Sequence, residues 1–148
     1  MNKFNRFAKI TFFFTSFIFY INFISCKIKD DNIPNISVYF EIDMSDPEFS
    51  KLQIPGNYVY VKGGVNGIII YRQSTTEFYA YERTCPHDPD CGRVYVDKSG
   101  LTAIDTVCCK SEFLLPLNGA IFKGPSNFPL KSYSVEFNQN NNILLVTN

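Results

Sequence analysis

Five cysteines and one histidine carry most of the reactive chemistry in this chain. Four of the cysteines, Cys85, Cys91, Cys108 and Cys109, fall within 25 residues, and His87 lies among them. Thiolate sulfur and neutral imidazole are donors for zinc and for iron–sulfur clusters, and paired thiols oxidise to disulfides. The donors sit in two stretches, "TCPHDPDCG" (84–92) and "TVCCKSEF" (106–113). Cys108 and Cys109 are poor partners for each other. Neighbouring Cα atoms are about 3.8 Å apart, whereas a disulfide usually spans roughly 4.4–6.8 Å. Each therefore looks to another part of the chain. No Ser-His-acid set, phosphate-binding loop or carboxylate pair stands out, so no catalytic residues are assigned.

The elements that must hold these two stretches read as β. "SVYFEIDM" (37–44) mixes alternation with β-formers, and "DPEFSKL" (46–52) suits one helical turn, with Asp46 as cap and Pro47 in first position. "NYVYVKGGVNGIIIYRQ" (57–73) predicts two strands joined through Gly63-Gly64 and Asn66-Gly67. "EFYAYER" (77–83) is a strand, "RVYVDKSGLTAID" (93–105) a hairpin turning at Asp97–Gly100, and "SYSVEFNQNNNILLVTN" (132–148) a last hairpin. No segment has a long helical period and there is no internal repeat. Short strands punctuated by Gly and Pro predict a small all-β antiparallel sandwich or barrel. Both cysteine-bearing stretches leave strand ends, and the expectation is that they meet at one end of the domain.

The start of the chain predicts targeting. Lys3, Arg6 and Lys9 precede the mainly apolar "ITFFFTSFIFYINFI", followed by Ser25 and Cys26. That pattern is a secretory signal over residues 1–25; an uncleaved membrane anchor is the alternative, although Thr, Ser and Asn interrupt a run shorter than the ~20 residues of a spanning helix. "FISC" resembles a bacterial lipobox, with Phe23 at its first position, which implies that Cys26 is lipidated and becomes the new N-terminus. Residues 26–36 then form a polar tether, and 37–148 the domain. Lys29-Asp30-Asp31 resembles the signal that sends some Gram-negative lipoproteins to the outer cell surface. The expected location is extracytoplasmic, on a bacterial membrane, where disulfides persist. Zero net charge without a basic block argues against nucleic acid as a partner.

At the two cysteine stretches the chain resembles the Rieske iron–sulfur family, a small antiparallel β-domain in which two loops grip a [2Fe–2S] cluster. Two Cys hold one iron and two His the other. The family's first loop reads Cys-x-His-x-x-Cys, and "CPHDPDC" offers Cys85, His87 and Cys91 with one extra residue. The second reads Cys-x-Cys-His-Gly-Ser-x-Phe. With Phe113 fixing the register, Thr106 falls on the cysteine ligand, Cys108 on the disulfide cysteine, Cys109 on the histidine ligand, and Lys110 replaces Gly. Asn118-Gly119, Gly124-Pro125 and Pro129-Leu130 match the family pattern beyond the second loop, and the resemblance covers about residues 56–148. It implies a Cys91–Cys108 disulfide and leaves Cys85, His87 and Cys109 as candidate metal ligands, with Thr106 at the fourth position.

Three readings of that set stay open. In the first, a [2Fe–2S] cluster is held despite the hard hydroxyl of Thr106, and the protein is an electron-transfer module with a redox partner. In the second, Cys85 and Cys109 form another disulfide and no metal binds, giving a stapled structural or binding lipoprotein with a surface partner. In the third, zinc sits on the Cys/His set, without the usual Cys-x-x-Cys. His87, in an acidic proline-containing loop, is either a ligand or a solvated loop residue. Oxygenase chemistry of the kind some family members perform would need a further metal or cofactor domain, for which the chain is too short.

Overall fold

The computed structural model describes residues 33–148. The leader over 1–25 and Cys26 lie outside the described residues. Ten strands follow in order: β1 (Tyr39–Asp43), β2 (Tyr58–Val61), β3 (Ile68–Arg72), β4 (Phe78–Glu82), β5 (Tyr95–Val96), β6 (Thr102–Ile104), β7 (Glu112–Leu114), β8 (Ala120–Lys123), β9 (Ser132–Asn138) and β10 (Ile143–Thr147). They form a six-stranded sheet, ordered β1-β10-β9-β4-β3-β2, and a four-stranded sheet, ordered β5-β6-β7-β8, all pairs antiparallel. The all-β expectation is borne out, and the hairpins turn where the Gly and Asn signals place them. The helical turn is a 3-10 helix, Pro47–Gln53, with the Asp46 side chain accepting from the Glu48 amide as predicted. Strands β7 and β8 were not expected.

The run "IIIY" explains how the layers meet. Successive side chains of a strand face opposite sides. Ile68 and Ile70 join one apolar cluster, with Ile42, Leu52, Phe78, Leu144 and Val146. Ile69 and Tyr71 join another, with Tyr81, Val94, Ala103, Phe113 and Leu115. Strand β3 is thus covered on both faces, and its unbroken apolar run is what such a strand requires. The second cluster lies between β3–β4 and the small sheet. The Tyr81 hydroxyl crosses it to donate to the Leu115 carbonyl at 2.7 Å. Cys85 belongs to this cluster and Cys109 packs against it, so the core itself fixes the base of both cysteine loops.

The first described residues are tied to the last strands. The Asn148 side chain accepts from the Val38 amide and donates to the Ile36 carbonyl. The Lys131 ammonium donates to the carbonyls of Ile33 and Pro34.

Candidate functional site

The first cysteine loop leaves β4 through a narrow neck. Thr84 and Arg93 form an antiparallel bridge, and the Val94 amide donates to the Arg83 carbonyl at 2.7 Å. Within the loop, the Cys91 amide donates to the Asp88 carbonyl, closing a turn around Pro89. The second loop runs from β6 to β7 and is built on Asp105. Its amide donates to the Ser111 carbonyl at 3.0 Å, closing the neck. One carboxylate oxygen accepts from the amides of Val107 and Cys108, both at 2.9 Å. The other accepts from the Cys109 amide at 3.3 Å and the Cys109 thiol at 3.1 Å. Asp105 is buried. Burial alone would raise its pKa, but the donors from Cys108, Cys109 and Val107 outweigh it and hold the carboxyl at about 2.

Two further features shape this loop. Lys110, where the family pattern has Gly, takes a left-handed backbone with φ 58, and its ammonium donates to the Thr106 carbonyl. Gly124 packs on Ser111: a Cβ there would stand 2.6 Å from the Ser111 Cα. The Ser111 hydroxyl accepts from the Ser126 amide at 3.1 Å. The Gly-Pro-Ser turn therefore holds the second loop from behind.

The loops meet through sulfur twice. Cys91 and Cys108 form a disulfide with a Cα–Cα distance of 6.3 Å, the pairing that the resemblance implied. Deeper in, the Cys85 and Cys109 sulfurs are 3.1 Å apart as free thiols. A thiol has one proton, so a consistent arrangement runs in a chain: Cys85 donates to Cys109, and Cys109 donates to Asp105. Burial and the Cys109 contact push the Cys85 thiol up to about 12, against the pull of the Asp88 and His87 amides. Cys85 is thus a protonated thiol at neutral pH.

The structure brings Cys85 and Cys109 together. His87 and Thr106 are exposed. Among the described residues, Cys85, Asp105 and Cys109 have donor atoms within 4.8 Å of one another, and so do Asp88, Cys91 and Cys108, whose two sulfurs are already joined in the disulfide. Neither includes His87. A [2Fe–2S] cluster takes two ligands on each iron, and in the matched register Cys85 and Cys109 serve different irons. Sulfurs in contact leave no space for two irons between them, and the third group beside them is a carboxylate. As placed, these residues do not fit that cluster.

Asp105 and Ser111 are the site residues that the sequence reading missed. The available signal was an Asp directly ahead of "TVCC", since an Asp carboxylate readily accepts from amides two and three residues on.

No family model matches this sequence, and no protein of curated function matches it. Solved structures do. The plasma-membrane Rieske protein PetC3 of the cyanobacterium Synechocystis PCC 6803 superposes with a TM-score of 0.52 at 19% identity, covering 76% of this chain and 98% of that one. A proposed small subunit of an NADH-dependent nitrite reductase from Mycobacterium tuberculosis gives 0.46 at 16% identity, over 77% and 97% of the two chains. The architecture defined by the two sheets and their paired loops is Rieske-like, as in PetC3.

Proposed function

We propose that this protein is a lipid-anchored, extracytoplasmic Rieske-like domain in which a sulfur pair occupies the place that the resemblance gives to a cluster, and that it serves as a disulfide-stapled binding scaffold. The observation that carries this reading is the 3.1 Å contact between the Cys85 and Cys109 sulfurs. In an oxidising compartment the two thiols lose two electrons and two protons to a disulfide oxidant, which leaves as two thiols, and a second bond joins the loops. Lipid on Cys26 would keep the domain at a membrane.

A second reading has one observation in its favour: Cys85, Cys109 and the Asp105 carboxylate offer three ligand atoms close enough for a single zinc ion. The full-length protein isolated from its membrane separates the readings by metal analysis, visible absorption and thiol titration. The scaffold reading expects no iron, no visible absorption and no titratable thiol after export. One zinc per chain that masks both thiols selects the second reading. About two irons per chain with a Rieske-like signal after reduction would make electron transfer the function instead. The anchor is tested separately: Cys26→Ser is expected to release the protein or block its processing, and a mature chain that keeps Met1 excludes the lipoprotein assignment.

A further inference from the structure

Arg83 is a charged residue buried without an acid. It is 7% exposed. Its Nε donates to the Val94 carbonyl at 3.2 Å. Its guanidinium carbon stands 3.9 Å from the centre of the Tyr60 ring and 5.0 Å from that of Tyr95. Among the described residues the one ion pair is Lys123–Glu112, so no carboxylate is in contact with the Arg83 guanidinium, and Glu82 favours its charge only from a distance. The neighbouring Glu82 carboxylate is turned to other donors, the amides of Val65, Asn66 and Thr84 and the hydroxyls of Thr84 and Tyr133. Buried charges are ordinarily paired, because an ion taken out of water loses its hydration.

The guanidinium borders an open groove of about 400 Å³ between the β2–β3 turn and the neck of the first loop. Lys62 and Arg93 line the same groove, and no acidic residue does. Gly67, whose φ of +97 favours glycine, brings the backbone of the groove floor alongside the Arg83 side chain. Tyr60 is itself fixed, its hydroxyl accepting from the Val96 amide at 2.8 Å.

We propose that this groove is a phosphate-binding site, with Arg83 as the buried fork and Arg93 and Lys62 as the outer cations. Guanidinium forks match the oxygen spacing of phosphate, and three cations from three separate segments suit a tetrahedral anion better than a planar carboxylate. The source is either a free phosphate or the phosphodiester of a lipid headgroup. The inference does not depend on the state of the cysteines or on lipidation of Cys26.

The test is a titration of the full-length protein in neutral detergent, at fixed ionic strength, with inorganic phosphate and separately with glycerophosphoglycerol, the deacylated headgroup of phosphatidylglycerol. Saturable binding of one ligand per chain is expected, read by calorimetry and by a rise in melting temperature. Arg93→Gln and Lys62→Gln each weaken it about fivefold, as loss of an exposed charged contact would, without lowering the melting temperature of the free protein. These two variants carry the test because Arg83→Gln disturbs packing between two tyrosines. Tighter binding of the diester identifies a lipid headgroup, and tighter binding of inorganic phosphate identifies a free phosphate. Absence of saturable binding to either, or binding unchanged in the Arg93→Gln/Lys62→Gln double variant, overturns the proposal.

Discussion

Glu82 and Asp105 are both buried carboxylates at the ends of strands, and each organises a loop by accepting from its backbone. Their surroundings differ. Glu82 also accepts from the hydroxyls of Thr84 and Tyr133, at 2.9 and 2.8 Å, groups that keep the same chemistry in any redox state. Gly64 sits so close that a Cβ there would fall 2.0 Å from a Glu82 oxygen. Asp105 instead accepts from a thiol, which can ionise, oxidise or bind metal. The same device, a carboxylate used as an internal cap, is a fixed joint in the β2–β3 turn and a joint with a changeable partner in the second cysteine loop.

The largest expected effect tests the fixed joint. Glu82→Ala strands three amides and the Tyr133 hydroxyl, and urea denaturation is expected to show a loss of about 4 kcal/mol. A loss below about 1 kcal/mol would mean that water replaces the carboxylate and that the joint is not fixed. Next comes the staple between the cysteine loops. Reducing the Cys91–Cys108 bond, whose ends are 17 residues apart, is expected to lower stability by about 3 kcal/mol in the chain-entropy model. The Cys91→Ser/Cys108→Ser variant should reproduce that loss and show no further response to reductant at this bond.

Asp105→Asn is expected to cost about 2 kcal/mol, and the pH profile says why. The folded carboxyl, at about 2, lies below its ordinary 3.8. Its contribution is therefore complete above pH ~4 and fades as pH falls toward ~2. Chemical denaturation across that window should show a shallower decline in the variant than in the parent. Glu82 is also held below its ordinary value, its burial outweighed by the Val65, Asn66, Tyr133 and Thr84 donors, so a residual acid-sensitive component should persist in Asp105→Asn. If the two profiles are parallel, Asp105 is not the cap described here. The smallest effect sharpens the geometry: Lys110→Gly is expected to stabilise the second loop by about 1 kcal/mol, because glycine takes the left-handed backbone without a Cβ penalty. A destabilised variant would mean that the Lys110 contact with the Thr106 carbonyl matters more than the backbone.

What was legible in the sequence follows the strength of the local signal. Gly63-Gly64, Asn66-Gly67 and Asp97–Gly100 dictate turns through backbone preference alone, so those hairpins were readable. Strands β7 and β8 were not, because "EFLLPLNGAIFK" is apolar without clean alternation and is broken by a short 3-10 turn, Leu115–Leu117. The insertion of β9 between β4 and β10 is a long-range choice that no short motif records. In the site, the cysteines advertised themselves by type. Asp105 closes the predicted hairpin "RVYVDKSGLTAID", and Glu82 and Arg83 end the predicted strand "EFYAYER"; nothing in either stretch marks these charges as buried. Whether a charge at a strand end is buried depends on which loop folds over it, and that is set by tertiary packing.

Strand β1, the first in chain order, pairs with β10, the last of the ten, Tyr39 opposite Thr147. A polypeptide emerging from the ribosome or a translocation pore delivers β1 first and its neighbour last. β9, which joins β10 to β4, also arrives near the end. The larger sheet consequently has no way to close before β10 is made, and a nascent chain stopped at Asn140 leaves β1 without a partner. Closure of the larger sheet therefore waits for β9 and β10, and until residues 132–147 are available the earlier strands of the domain stay threadable.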